Sequence, residues 1–285
     1  MVSASGSFSP GVNRRVLAFG AIGLAVWGLH KLIPRIGLPI AHYEVAGAVI
    51  ALVLAFRTNT AYDRFWEGRK LWGSITNASR NLQRIVGAHV ATEPEAARDF
   101  ATWIVLFAHA TRHALRGATE RPEHARLLSP ESFASQATQP KAPIHAAQQI
   151  SHRLAAFSRA GLDPNMVARA EAQVIVLVDS LGGCERIRGT PTPLGYVLLI
   201  QRTVALYLAA LPIGLVGELG VLTPIITIMV AYPVLMIEAL GRELDDPFGE
   251  EPNDLALTRM CETIELDLLG SAPSQSIDQD EPFDT

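Results

Sequence analysis

The chain has 285 residues, of which 49% are hydrophobic and only 18% are charged. So small a charged fraction, with a mean hydropathy of +0.22, argues against an ordinary soluble enzyme. The net charge of −4 gives no overall basic character with which to neutralise phosphates, so no nucleic acid is expected as a partner. The two cysteines, Cys184 and Cys261, provide neither a disulfide framework nor the paired spacing of a zinc site.

Four stretches of the chain stay apolar for about the 20 residues that a helix needs to cross a bilayer. They are residues 16–34, 39–57, 194–213 and 221–240. The first follows Arg14 and Arg15, as a signal peptide would, but no small-residue cleavage site comes after it, so we expect a retained helix. Short connections at 35–38 and 216–220 predict that the four segments form two hairpins.

The distribution of arginine indicates which side of the membrane holds the rest of the chain. Two hairpins leave both termini and the long polar stretches on one side. Arg14, Arg15, Arg186 and Arg188, with the arginines that follow Phe56, all fall on that side. The positive-inside rule makes it cytoplasmic, so the sequence predicts a multi-pass membrane protein with both termini in the cytoplasm.

The stretches at 58–193 and 241–270 are predicted to form a helical cytosolic region, because apolar residues recur there with helical spacing. The second apolar segment can continue into this region as one helix, since no proline follows it. Further helices are expected at 94–115, 143–160 and 164–188. A proline-rich stretch at 121–140 separates them, and a polar, disordered tail is predicted at 271–285. Residues 1–285 are interpreted as a single unit.

The densest polar and aromatic block lies where the second apolar segment ends, between Phe56 and Gly73. It includes Arg57, Asn59, Asp63, Arg64 and Trp66. Arginine and tryptophan in this position are typical of residues that anchor a helix at the membrane surface. The block holds more polar side chains than anchoring requires.

Together with three later motifs, this block resembles the bestrophins, especially their bacterial branch. The later motifs are Cys184-Glu185-Arg186-Ile187 followed by Thr190-Pro191-Thr192-Pro193, then Gln201-Arg202-Thr203, then Asp246-Pro247-Phe248-Gly249 and the residues up to Leu255. They stand in the family's order and span the chain from about Leu32 to Asp254. The resemblance implies an all-α membrane protein with four transmembrane helices per subunit, assembled as a homopentamer around a central pore in a bacterial inner membrane. Its partners would be other copies of itself, the lipid bilayer and small permeant ions, and no cofactor or metal is implied.

The resemblance also implies a narrow pore neck formed by three apolar side chains spaced four residues apart. Counting back from Arg64 places them at Ala48, Leu52 and Phe56. This spacing puts all three on one face of a helix, over about 12 Å along its axis. A ring of apolar side chains gates a pore by expelling water. Family necks usually carry bulky residues at all three levels, so Ala48 predicts a wider outer level; lipid-facing or packing positions are the alternative.

A second constriction in the family, at the cytosolic exit, corresponds to Ile187. Its neighbours Glu185, Arg186 and Arg188 would set the local field, and packing of Ile187 within its own chain is the alternative reading. Arg202 lies inside the third apolar segment, where an ionisable side chain is costly. Hydrogen bonding between helices or between subunits is the role we favour for it.

Eukaryotic bestrophins bind calcium in an acidic cluster just after the Pro-Phe-Gly turn. Here Glu250, Glu251 and Asp254 are interrupted by Pro252 and Asn253. Calcium needs several oxygen ligands in a compact loop, so the resemblance is not extended to calcium.

Two other classes of protein stay open as alternatives to a channel. His109 and His113 lie four residues apart on a predicted helix, a spacing that can hold a metal. With a carboxylate such as Glu93, Glu95 or Asp99 they would give a membrane-bound metalloenzyme. A membrane scaffold that only binds partners is the other alternative.

The leading hypothesis is a gated ion channel, not an enzyme, and the sign of its ion is open. Eukaryotic members of the family conduct chloride and other anions, whereas bacterial members have been linked to monovalent cations. An apolar neck carries no formal charge. Glu44 near the outer mouth and the acidic C-terminal region favour cations slightly.

Overall fold

The computed structural model of the chain describes residues 10–89, 93–118, 122–130 and 141–270. These residues form helices and connecting segments with no strand among them, so the predicted all-α fold is confirmed. The predicted tail at 271–285 and most of the proline-rich stretch at 121–140 lie outside the described residues.

Helices follow one another along the described chain. They are α1 (Pro10–Leu32), α2 (Ala41–Gly87), α3 (Pro94–Arg116), α4 (Pro122–Leu127), α5 (Ala142–Arg159), α6 (Pro164–Gly189), α7 (Leu194–Leu219), α8 (Thr223–Glu243) and α9 (Leu257–Leu269). Proline stands at the first position of α1, α3, α4 and α6, where its missing amide costs no helical hydrogen bond. Short 3-10 turns lie at Pro34–Ile36 and Gly220–Leu222.

Contacts divide the described residues into two compact units, and the single bestrophin-like unit over residues 1–285 stays a prediction. The described residues of the first unit lie at 10–67 and 189–254, and those of the second lie within 68–188 and 255–270. Helix α2 is continuous and contributes residues to both units, in agreement with the prediction that the second apolar segment runs on without a break.

Three ranges of the described residues are long and apolar enough to cross a membrane. They are Gly11–Leu32, Ala41–Gly87 and Leu194–Glu243, and the third contains both α7 and α8. The predicted segments at 16–34, 39–57, 194–213 and 221–240 overlap α1, α2, α7 and α8 in that order. The connection predicted at 216–220 lies instead at Gly220–Leu222, because α7 continues to Leu219. The helix ends at Gly220, whose φ of +50° would be strained for a residue with a Cβ atom.

The core of the first unit is an apolar cluster between α1, α2, α7 and α8. Its buried members are Val12, Val16, Ile50, Leu54, Ile200, Val204, Leu208, Leu211, Leu215, Ala231, Leu235 and Ala239. Helix α2 therefore packs through Ile50 and Leu54, which lie on the opposite side of the helix from Leu52.

Two tyrosine side chains pack against glycines between α2 and α7. A Cβ atom added to Gly47 would lie 2.6 Å from the Tyr207 hydroxyl, and one added to Gly214 would overlap the ring of Tyr43. The tyrosine side chains occupy the space that a side chain at either glycine would need. Each tyrosine therefore lies directly against the backbone of the other helix.

In the second unit, α3 is buried along almost its whole length between Phe100 and Leu115. It packs against α5, where the Phe100 and Phe157 rings lie 5.7 Å apart, and against α9. The buried side chains of α3 include polar ones, among them His109, Arg112 and His113. Burial raises the pKa of the Cys261 thiol on α9 to about 12, so this cysteine is an unreactive packing residue.

Candidate functional site

The residues predicted to form the neck, Ala48, Leu52 and Phe56, share an exposed face of α2. Leu52 is 57% exposed and Phe56 is 60% exposed, whereas Ile50 and Leu54 are buried. The described helices of the first unit thus leave this apolar face uncovered. Such a face suits a pore lining, lipid or a neighbouring subunit, so the neck itself stays a prediction.

The polar block that follows Phe56 divides between two sides of α2. Asn59, Asp63 and Trp66 are exposed, while Arg57 is buried. Sequence analysis grouped these residues in one motif without assigning them to different sides. The division follows from the helical repeat, since Arg57 lies on the same side as Leu54 and Asp63 does not.

Arg57 points to a buried carboxylate, Glu238, in the first unit. The partners of Glu238 come from every large helix of this unit: Arg15 from α1 at 2.8 Å, Arg57 from α2 at 3.6 Å, Gln201 from α7 at 3.3 Å and Arg242 from α8 at 3.6 Å. A buried carboxylate is tolerated only when it is paired, and this one links all four helices. The sequence pattern does not connect Glu238 with these partners, although an acid within an apolar segment is itself a signal of a partner.

Gln201 and Arg202, predicted together, occupy different environments on α7. Gln201 donates a hydrogen bond to Glu238. Arg202 is exposed and forms no ion pair among the described residues. A role for Arg202 between subunits stays a prediction.

Arg64 forms a second connection, between α2 and the segments that flank α7 and α8. Its Nε lies 3.1 Å from Oδ1 of Asp245 and its Nη1 donates to the carbonyl oxygen of Thr190 at 2.8 Å. The hydroxyl of Thr192 donates to the same Asp245 carboxylate at 2.5 Å. Three segments far apart in the sequence therefore meet at Asp245, a contact that sequence analysis missed because it depends on tertiary packing.

The residue predicted to form a cytosolic aperture, Ile187, is only 3% exposed in its own chain. Its neighbours Glu185 and Arg186 are exposed, and Arg188 donates to the carbonyl oxygen of Ala114. Burial of Ile187 agrees with the packing alternative for a single chain. The aperture stays a prediction.

His109 and His113, weighed as metal ligands, contact carboxylates within the second unit. His113 Nε2 lies 2.9 Å from Glu123 and His109 Nε2 lies 3.3 Å from Glu265, with Arg112 and Arg126 on the same two carboxylates. These acids are not the ones proposed from sequence, and Asp99 pairs with Arg153 instead. Within the described residues, no group of three or more histidine, cysteine or acidic side chains is arranged to hold a metal ion.

The pKa values of the two carboxyls follow from these contacts. Burial alone would raise the pKa of Glu265, but hydrogen bonds from His109 and Arg126 outweigh it, and the pKa is about 2. Hydrogen bonds from His113 and Arg112 likewise overcome burial and hold the pKa of Glu123 well below its usual range. Both acids are therefore ionised at neutral pH and tie α4 and α9 to α3.

The acidic segment after Phe248 folds as a compact loop in the first unit. Asp254 accepts a hydrogen bond from the Glu251 amide, and Asn253 donates one to Glu243 at 2.7 Å. Burial and the neighbouring carboxylates raise the pKa of Asp254 to about 6. The expectation that this segment is not a calcium site stays a prediction.

The family model for bacterial and fungal bestrophin proteins matches residues 1–270 of the chain. A voltage-dependent anion channel-forming protein of Nostoc sp. is 35% identical over 268 residues, which cover 92% of this chain and 87% of that protein. The voltage-dependent anion channel-forming protein YneE of Escherichia coli K12 is 34% identical over 270 residues, which cover 93% of this chain and 88% of that protein.

Solved structures agree with these matches. A crystal structure of a bacterial bestrophin homologue from Klebsiella pneumoniae has a TM-score of 0.85 at 31% identity, and the match covers 91% of this chain and 97% of that chain. The crystal structure of a membrane protein variant has a TM-score of 0.88 at 31% identity, with 94% and 100% covered. The fold is therefore that of an all-helical membrane protein.

Proposed function

Because the chain belongs to the bacterial and fungal bestrophin family, we propose that it forms a homopentameric ion channel in a bacterial inner membrane. The family and the names of its relatives indicate a channel and not an enzyme, so the metalloenzyme alternative is set aside. The observation that carries the proposal is the exposed apolar face of α2 in a chain whose relatives are named as channel-forming proteins.

The proposed neck consists of Ala48, Leu52 and Phe56, in order from the outer to the cytosolic end. A face on one helix becomes a pore lining only when several copies surround an axis, and a closed ring of five copies provides this arrangement. Five Leu52 and five Phe56 side chains would then form two apolar rings. A narrow apolar section opposes hydrated ions because it expels water.

In this proposal α1, α2, α7 and α8 cross the membrane as two hairpins, with both termini in the cytoplasm. The exposed apolar surfaces of these helices support it, since Leu17, Leu206 and Met229 are all at least 64% exposed within the single chain. Lipid and neighbouring subunits would cover such surfaces. The arginines at 14, 15, 57 and 64 then lie near the cytoplasmic side, as the positive-inside rule requires.

Different observations favour anions and cations as the permeant ion. The relatives are named for anions, whereas the exposed Glu44 before the neck favours cations slightly. The apolar neck itself attracts neither. The cytosolic aperture at Ile187 remains part of the proposal, although its side chain would have to leave its buried position to narrow a pore.

Planar-bilayer recording of the purified protein under an asymmetric salt gradient tests the proposal. We expect single-channel steps whose reversal potential gives the sign of the ion, from protein whose mass in detergent is five times the 30.8 kDa of one chain. A closed gate would silence even a pentamer, so the Phe56→Ala variant is recorded in parallel. Silence from both pentameric proteins would contradict the channel and favour the scaffold, which predicts no ion flux.

A further inference from the structure

Asp63 lies on α2 just beyond the cytosolic end of the proposed neck. It follows Phe56 by seven residues, or two helical turns, and so lies on nearly the same side of the helix and about 10 Å further along its axis. Asp63 is exposed, as is Asn59 between them. Arg57 and Ala61, on the packed side of the same segment, are buried. The exposed face therefore changes from apolar to polar and then to acidic.

The basic side chains next to Asp63 are directed elsewhere. Arg57 pairs with Glu238 inside the first unit, and Arg64 pairs with Asp245 while donating to the Thr190 carbonyl oxygen. Asp63 forms no ion pair among the described residues. Between Phe56 and Trp66, the charge left on the exposed face is therefore negative.

We propose that five copies of Asp63 form a ring of carboxylates at the cytosolic mouth of the neck, and that this ring makes the pathway prefer monovalent cations over anions. The inference rests on the proposed channel and on the register of its neck. Carboxylate rings select cations in ion channels, and a mouth with low-dielectric walls concentrates the ion of opposite charge. The neck carries no formal charge, so selectivity has to come from charged groups at its ends, and Asp63 is the nearest exposed charge after Phe56 on α2.

Ionic strength distinguishes this field effect from a change in pore shape. The Debye length is about 30 Å at 0.01 M salt and about 3 Å at 1 M. A preference created by Asp63 carboxylates therefore weakens as salt increases. A preference created by the width of the neck does not.

The test compares reversal potentials in potassium chloride gradients for wild-type, Asp63→Asn, Asp63→Glu and Glu218→Gln channels, each also in the Phe56→Ala background. Asp63→Asn keeps the shape of the side chain and removes its charge. Glu218→Gln removes the same charge from an exposed position at the end of α7. We expect Asp63→Asn to lower the ratio of potassium to chloride permeability at least about threefold in low salt, with a smaller difference in 1 M salt.

Asp63→Glu should keep the wild-type ratio, and Glu218→Gln should leave it unchanged. An Asp63→Asn channel that conducts with the wild-type ratio overturns the inference but leaves the channel proposal standing, as does an equal effect of Glu218→Gln.

If Asp63→Asn fails to assemble, Mg²⁺ on the cytosolic side of the wild-type channel is the second measurement. Binding at the ring should lower potassium conductance, and insensitivity to Mg²⁺ overturns the inference. Silence from every variant, the Phe56→Ala background included, overturns the channel proposal itself.

Discussion

The guanidinium of Arg57 lies 3.6 Å from the carboxylate of Glu238, and both side chains are almost fully buried in the first unit. Adjacent positions on an α-helix point about 100° apart. Because Arg57 is held on the packed side of α2, its neighbour Phe56 is kept on the exposed side. The ion pair thus acts together with the buried side chains of Ile50 and Leu54 in holding this rotation of α2 about its own axis, on which the proposed neck depends.

Replacing Glu238 by glutamine should destabilise the protein strongly. The change leaves the buried Arg57 and the half-buried Arg15 without their counter-charge, and removing one partner of a buried pair costs about 3 kcal/mol or more. We expect a clear fall in Tm in detergent. Arg242→Gln is the matched control, because this partner is 52% exposed at 3.6 Å and should cost at most about 1 kcal/mol. Equal losses for the two variants would contradict a central role for Glu238.

Widening the neck should increase ion flow. Leu52→Ala and Phe56→Ala remove bulk from exposed positions of α2, which admits water and lowers the barrier to hydrated ions, so single-channel conductance or open time should rise. Ala48→Leu adds bulk at the wide outer level and should lower conductance. Leu206→Ala is the control, because Leu206 is 72% exposed and belongs to α7 instead of α2. Unchanged currents in all three α2 variants would place the neck elsewhere.

Filling the space at Gly47 should displace the Tyr207 side chain that packs against α2. A Cβ atom at this position would meet the Tyr207 hydroxyl at 2.6 Å, so Gly47→Ala should cost about 1–3 kcal/mol of stability, measured as a fall in Tm. Tyr207→Phe removes the nearest atom and should recover part of the loss in the double variant. The next ring atom would still lie at 3.3 Å, so recovery should be incomplete. A Gly47→Ala protein with wild-type Tm would contradict the close approach.

Stability in acid should depend on Glu265. Its pKa is about 2 in the folded protein against an ordinary 4.5, so its ion pairs stabilise the folded state above about pH 4.5. That contribution is lost as the pH falls from about 4.5 towards 2. Glu265→Gln should therefore lower Tm at neutral pH and have progressively less effect as the solution is acidified. Glu262→Gln, on the same helix but outside these ion pairs, should reproduce the wild-type pH profile; a parallel shift of Tm at every pH for Glu265→Gln would contradict the assignment.

Proline and glycine residues in the sequence predicted where several of the helices begin and end. Pro94 and Gly117 bound α3 within a residue or two of the predicted limits, and Pro164 opens α6 where the sequence placed it. These limits follow from the chemistry of proline and glycine, which acts within a single helical turn. Helix α4 was missed because it lies within the proline-rich stretch at 121–140 and its six residues are too few to reveal a helical period.

Contacts between distant residues escaped sequence analysis for a physical reason. Glu238 is an acid within an apolar segment, but nothing local in the sequence distinguishes Arg15 or Arg57 as its partner. The same holds for Glu123 and Glu265, which replaced the acids proposed beside His109 and His113. Which acid meets which histidine is decided by how α3, α4 and α9 pack, and a spacing rule along one helix contains no such information.

The position of Glu238 near the end of the chain also has a consequence for synthesis of the protein. Arg15 and Arg57 leave the ribosome long before Glu238, so α1 and α2 are synthesised before the counter-charge of these two arginines. The Asp245 carboxylate that holds Arg64 emerges later still. A chain that stops short of Glu238 therefore lacks the carboxylate that pairs with both arginines.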